Sequence, residues 1–353
     1  MISVIVPVYN VKPYLLRCLD SLEKQTSQDI EFIIVNDGST DGSDEICKTF
    51  LKNKDKFRYF SKPNGGLMSA WMEGLKHAKG TYIGFVDSDD FIEPEMFAKL
   101  GEQAEKYDAD MVMCKFVYDH IQNEKVLARE VQDNSIKEGY YEGTDLRNIK
   151  LKMLPKSGRK YISPSRCNKI IKKEILEKNL KYCDVFIASG EDVNIILPCF
   201  FSVNSFYYVD EALYHYVKNS ASITYKFNDT LKEQYLRLLE KTKEALKDYS
   251  LDIETNEWCQ VVNSYGIMLL RTMLNAKISR TQRKAQIREL CKCDLFFESA
   301  RKTDMATCNK WERAYIHAIK KKSARRFGWL LTLSKIKNKM RMAYESKRNR
   351  TNL

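Results

Sequence analysis

Tyr82-Ile83-Gly84-Phe85-Val86-Asp87-Ser88-Asp89-Asp90 is the stretch that decides how the first hundred residues fold. A short run rich in β-branched and aromatic residues reads as a buried strand, and this one breaks off into acids. The same pattern of apolar run and polar end occurs earlier at Ser3–Tyr9, Ile30–Asp37 and Phe57–Ser61. Between these runs, apolar residues recur at helical spacing: Tyr14, Leu15, Cys18, Leu19 and Leu22, then Ile46, Phe50 and Leu51, then Leu67, Ala70, Trp71 and Leu75. Alternating strands and helices with near-continuous apolar strands predict an α/β fold. Its mostly parallel, Rossmann-like sheet carries helices on both faces. Ligands of such sheets sit beyond the carboxyl ends of the strands. Tyr9-Asn10, Asn36-Asp37 and Asp87-Ser88-Asp89 occupy those ends.

Residues two apart in a strand share a face, so Asp87 and Asp89 are expected to converge on one ligand. Paired carboxylates around a small residue suit a hard divalent cation that also binds phosphate oxygens. Asp90 reads differently, as an acid preparing the helix that starts near Pro94. In the second acidic stretch, Asn36 to Ser43, a calcium loop is excluded because Lys48 stands where a bidentate Glu is required. Asp41-Gly42-Ser43 reads as a turn and helix cap. Asp37, closing an apolar strand beside the site, could accept the imide N–H of a uracil ring. No G-x-G-x-x-G follows the first strand and no P-loop occurs, which excludes classical dinucleotide or ATP binding. Gly190-Glu191-Asp192 precedes the apolar run Val193–Leu197. An acid at a helix start is favoured in its ionised form, the state a general base needs. Standing alone, the pair would be ordinary helix-terminal acids.

The 353 residues are 44% hydrophobic and 30% charged, as in a globular protein with a substantial core. Net charge is +12, and it is unevenly placed. Residues 320–353 hold twelve Lys and Arg against the single acid Glu345, a net of +11, leaving +1 on residues 1–319. Within them Trp329, Leu330, Leu333, Ile336, Met340 and Tyr344 recur at helical spacing among the cations, a pattern suited to an anionic membrane surface. A solvated basic end is the plainer reading. No nucleic-acid motif accompanies the charge, so no nucleic-acid partner is expected. Met1-Ile2 leads directly into a β-like run without a basic n-region or cleavage site, so the expected location is cytoplasmic, with peripheral attachment at the inner face of the plasma membrane if the tail binds lipid. The ten cysteines are accordingly expected to be reduced.

Taken in order, Ser3-Val-Ile-Val-Pro-Val-Tyr-Asn10, Val35-Asn-Asp-Gly-Ser-Thr-Asp-Gly42, Asn64-Gly-Gly-Leu67 and Tyr82 to Asp90 resemble the N-terminal half of family 2 glycosyltransferases, which have the GT-A fold. Cys167-Asn-Lys169, Glu191-Asp192 and Tyr214 to Ser222 continue the resemblance to about residue 225. It implies an inverting, metal-dependent transferase that moves a sugar from a nucleotide-sugar, expected to be a UDP-sugar, to a hydroxyl acceptor in cell-surface polysaccharide synthesis. Carried over by position, Pro7 and Tyr9 would line the base and Asp37 would bind uracil. Asp87 would face the ribose and sugar, and Asp89 would hold Mg²⁺ or Mn²⁺ on the diphosphate. Asp192 would be the general base with Glu191 beside it, while Lys218 and Ser222 would close over the diphosphate. The acceptor would be a saccharide or lipid-linked saccharide. Where the family usually has Arg-Asn after the glycine pair, this chain has Trp71 and Met72. Packing of a helix face on the sheet is the preferred reading of that change, and a reshaped donor pocket is the other.

The expected organisation is a catalytic GT-A domain over residues 1–225, a helical subdomain over 226–319 and a basic amphipathic tail over 320–353. Two rival classes remain at this level. One is a non-catalytic nucleotide-sugar-binding protein. The other is a nucleotidyltransferase, which also gathers carboxylates on an α/β sheet around metal.

Overall fold

The computed structural model describes residues 1–122, 125–133, 136–156, 162–218, 228–276 and 278–322. Strands β1 (Ile2–Val8), β2 (Ile30–Asn36), β3 (Phe57–Ser61) and β4 (Tyr82–Phe85) form a parallel block in the order β3-β2-β1-β4. Helices α1 (Lys12–Glu23), α2 (Ser43–Phe50) and α3 (Leu67–His77) alternate with them. Every residue of β1 and β2 is buried, as strands covered on both faces require. The sheet continues through β9 (Lys169–Lys172), β6 (Met111–Gln122) and β10 (Ser205–Lys218) to a two-residue β5 (Phe91–Ile92). β9 runs antiparallel to both β4 and β6, so β6 and β10 point the same way as β4. The antiparallel strands β7 (Lys125–Val131) and β8 (Gly139–Glu142) flank β6 and β10.

One expectation about the acids is corrected by this register. The ladder between β1 and β4 ends at Ile5–Phe85, and Val86 N–H still reaches Ile5 O at 3.1 Å. Beyond that point the chain turns, with Asp90 N–H donating to Asp87 O at 3.0 Å. Asp87 and Asp89 therefore lie in a turn after the strand, and the two-residue strand period does not govern them.

Close packing of α3 depends on Gly74. A Cβ there would lie 2.5 Å from Ile5 Cγ2 and 3.3 Å from Val35 Cγ2. The missing side chain lets the helix settle onto β1 and β2, and Trp71, one turn earlier, meets Phe85 edge-on at 5.9 Å. Gly74→Ala is expected to cost about 1–3 kcal/mol of stability through overpacking, measurable by urea denaturation.

The chain divides into two compact units. The first holds the sheet, α4 (Met96–Tyr107), α5 (Gly143–Lys150), α6 (Lys173–Asn179) and α7 (Glu191–Ser202). It also takes in Gln234–Asp252, the greater part of α8 (Leu231–Asp248). The second holds α9 (Thr255–Asn275), α10 (Arg280–Lys292), α11 (Asp294–Lys302) and α12 (Lys310–Lys320). Of these, α10 and α12 begin with reciprocal capping boxes at Ser279/Gln282 and Asn309/Glu312. Among the described residues no helix is long and apolar enough to cross a membrane. All but the first three residues of the basic tail lie outside the described residues.

Candidate active site

The site is built at the carboxyl ends of β1, β2 and β4, where strand hydrogen bonding runs out and polar groups need other partners. Pro7 is buried in β1 and Tyr9, just past its end, is 49% exposed. Asn10 adopts a left-handed φ of 50°, and its Oδ1 accepts from Thr40 N–H at 2.8 Å. This ties the end of β1 to the loop after β2.

Asp37 is almost fully buried, yet both of its carboxylate oxygens are satisfied. Oδ1 accepts from Lys62 Nζ at 2.6 Å and from Gly65 N–H at 3.0 Å, and Oδ2 accepts from Gly66 N–H at 2.8 Å. The carboxylate thus shapes the Asn64-Gly65-Gly66 loop at the start of α3. Gly38 has φ 74°, and a Cβ there would sit 2.9 Å from Asn64 N, so the loop and the end of β2 can meet only because glycine stands at that position.

The four-residue acidic cluster separates into three different environments. Asp90 is 1% exposed, receives Tyr214 Oη and Val217 N–H at 2.8 Å each, and is pushed up by burial and by Asp89 and Asp87. Its role is internal bracing. Asp89 is half-buried, and its carbonyl accepts from Arg17 Nη2 at 3.1 Å. Asp87 has a side chain 26% exposed, and its Oδ1 accepts from Arg166 Nη2. Burial raises the Asp87 pKa while the Arg166 guanidinium pulls it back.

Arg166 is the centre of the arrangement. Its side chain is 1% exposed and its Nη1 donates to Glu191 Oε2 at 2.6 Å and to Asp192 Oδ1. Glu191 and Asp192 open α7, and the side chain of Asp192 is 31% exposed whereas that of Glu191 is 4% exposed. The other Glu191 oxygen accepts the indole N–H of Trp71. Trp71 is therefore packed on the sheet, as its helical spacing implied, and it also anchors a carboxylate. Burial and the neighbouring Asp192 push Glu191 up to about 8 against the pull of Arg166. For Glu191, burial outweighs the helix-start effect expected from sequence.

That shift carries a stability consequence. Between about pH 4.5 and about 8, folded Glu191 keeps a proton that the unfolded chain has released, so its ionisation destabilises the fold as pH rises. The slope attributable to this one group is at most about 1.4 kcal/mol per pH unit. Denaturant unfolding at pH 5.5 and 7.5 is expected to show a smaller loss in Glu191→Gln than in the parent chain.

Lys218 ends β10 with its Nζ 4.5 Å above the Tyr118 ring and 3.8 Å from Glu130. Ser222 lies outside the described residues. Arg166 and Lys62 are contributors that sequence reasoning did not single out, while Tyr214 entered only as the start of a matched segment and Trp71 only as a replacement for the usual Arg. The one signal for Arg166 was its place directly before Cys167-Asn-Lys169.

As a candidate for Mg²⁺ or Mn²⁺, the site offers oxygen ligands only. Among the described residues no group of three His, Cys, Asp or Glu is placed to hold an ion. Asp87 is engaged by Arg166, and half-buried Asp89 lies two residues further along the same turn. A hard cation that takes most of its shell from phosphate oxygens and water fits this donor set.

The sequence profile described as glycosyl transferase family 2 matches residues 3–180. The chain belongs to glycosyl transferase family 2. It is an enzyme of the sugar-transferring class, and its architecture agrees. The uncharacterized glycosyltransferase EpsJ of Bacillus subtilis is 34% identical over 67% of this chain and 67% of its own length. The putative glycosyltransferase EpsH of the same organism is 28% identical over 86% of this chain and 87% of its own. Among solved structures, S. aureus TarS residues 1–349 superposes with a TM-score of 0.65 at 19% identity, covering 95% of this chain and 91% of that one. That likeness establishes the GT-A fold for this family 2 member.

Proposed function

We propose that this family 2 enzyme transfers a sugar from a UDP-sugar to a hydroxyl acceptor with inversion at the anomeric carbon, assisted by Mg²⁺ or Mn²⁺, in the synthesis of a cell-surface polysaccharide. The observation that carries the reading is the joining of Asp87, from the end of β4, and Asp192, from the start of α7, on the one guanidinium of Arg166. A carboxylate on the donor side and a partly exposed carboxylate able to act as base are thereby gathered at the strand ends. The fold-level likeness to TarS supports the choice of donor, since that protein has been solved in complex with UDP and with UDP-GlcNAc.

In this reading Pro7, Tyr9 and the loop held by Asp37 receive the uracil, and Asp87 faces the ribose and sugar. Asp89 holds the metal, which when bound offsets charge on the departing diphosphate. Asp192 takes the proton of the acceptor hydroxyl as that oxygen forms its bond to the anomeric carbon and the bond to the nucleotide breaks. Lys218, which ends β10, and Ser222 are the residues assigned to the diphosphate. Residues 1–225 are the catalytic part, 226–319 the helical subdomain, and 320–353 a tail for an anionic membrane surface where a lipid-linked acceptor would lie.

A panel of nucleotide-sugars assayed for nucleotide release, with and without Mn²⁺, tests the proposal. Release from a UDP-sugar that depends on acceptor and metal supports it, and release from none of the panel refutes it. For the tail, co-sedimentation with anionic vesicles is expected to fall on removal of residues 320–353, and unchanged binding would refute that part.

A further inference from the structure

We propose that Arg166 is the positioning residue that holds the base Asp192 in register with the donor-side carboxylate Asp87, a role that rests on the glycosyl-transfer reading above. Its guanidinium spans elements far apart in the chain. Nη2 reaches Asp87 in the turn after β4, and Nη1 reaches Glu191 at 2.6 Å and Asp192, both at the first turn of α7. Arg166 thereby joins these two elements through ion pairs on both sides. The distance between donor carboxylate and base is therefore set by the fixed fork of one planar group.

The backbone beneath Arg166 is held as tightly as its head. Buried Lys169 Nζ bonds Ser165 O, Cys167 O at 3.0 Å and Asn168 Oδ1 at 2.7 Å. Asn168 takes a left-handed φ of 54° and its Nδ2 donates to Cys114 O on β6. Residues 165–169 thus form a clasp on the central sheet with Arg166 projecting from it. Glu191 is braced from the opposite side by the Trp71 indole, which itself rests on Phe85. Asp192 is gripped through Oδ1, which fixes the direction of its carboxylate.

The arrangement is a poor way to gain stability. Burying a guanidinium among carboxylates incurs a desolvation penalty that mutual attraction offsets only with full hydrogen bonding. Here Asp87, Asp192 and the proton-retaining Glu191 crowd a single cation, and among the described residues Arg166 Nε has no hydrogen-bond partner. What the cluster does provide is placement, and placement errors of about 1 Å can lower a rate about 10²-fold.

Arg166→Lys retains the charge and loses the fork. We expect it to unfold cooperatively like the parent and to bind UDP, with kcat for transfer lowered about 10²-fold and a smaller change in donor KM. Arg166→Gly is expected to regain transfer on addition of millimolar guanidinium, which a purely structural role would not produce. An Arg166→Lys enzyme turning over at the parent rate, or one whose loss falls wholly on KM, would overturn the assignment. Should the parent itself release nucleotide from no nucleotide-sugar, the glycosyl-transfer reading fails instead, so the two failures are distinguishable.

Discussion

Asp192→Asn is expected to bind the nucleotide-sugar as the parent does and to lose sugar transfer about 10²–10⁴-fold, the contribution of a positioned general base. The amide keeps the shape of the carboxylate and can still meet Arg166 through its oxygen. It cannot accept the acceptor's proton. Binding by calorimetry and transfer by nucleotide release separate the two effects, and full transfer by the variant would refute the base. Because Asp192 is one of the acids facing the buried Arg166, the substitution should also lower stability, and denaturant unfolding of the variant measures that cost separately. Asp87→Asn removes a negative charge from beside the same guanidinium.

Asp89→Ala carries the second large effect. In the proposed reading its carboxylate holds the divalent ion, while Asp87 pairs with Arg166 and Asp90 turns inward to Tyr214 and Val217. Removal is expected to abolish the response to Mn²⁺ and to lower transfer about 10²–10³-fold, the range for losing a group that stabilises developing charge. Titrating Mn²⁺ against turnover in parent and variant measures it. A variant with the parent's metal response would remove Asp89 from the metal site. The Asp90 carboxylate, by contrast, is part of the framework, and substituting it should lower stability before it alters metal response.

Much of the fold was legible because periodicity is a local property. The apolar runs at Ile2–Val8 and Ile30–Asn36 have every residue buried, as runs without alternation must when helices cover both faces. Helix α7 begins at Glu191, where Gly190-Glu191-Asp192 meets the apolar run. The acids at the strand ends were equally visible, since carboxylates beyond the carboxyl end of a parallel sheet have few structural reasons to cluster. The division among Asp87, Asp89 and Asp90 was only partly visible. Asp90 was read as an acid preparing the helix near Pro94, whereas its carboxylate braces Tyr214 and Val217 of β10, and the strand period invoked for the other two fails, because β4 stops at Phe85 and a turn takes over.

Sequence by itself determined the α/β architecture, the family, and the short segments on which the chemistry must lie, because each depends on residues near one another in the chain. Tertiary structure alone decided which of those segments meet. Arg166 lies 79 residues from Asp87 and 25 and 26 from Glu191 and Asp192, and Trp71 lies 120 from Glu191. No local pattern encodes such separations. A buried guanidinium can be recognised only once burial strips its water and leaves carboxylates as its partners. The acidic turn Asp87–Asp90 was recognisable from its own residues, and the cation that organises it was recognisable only from the fold.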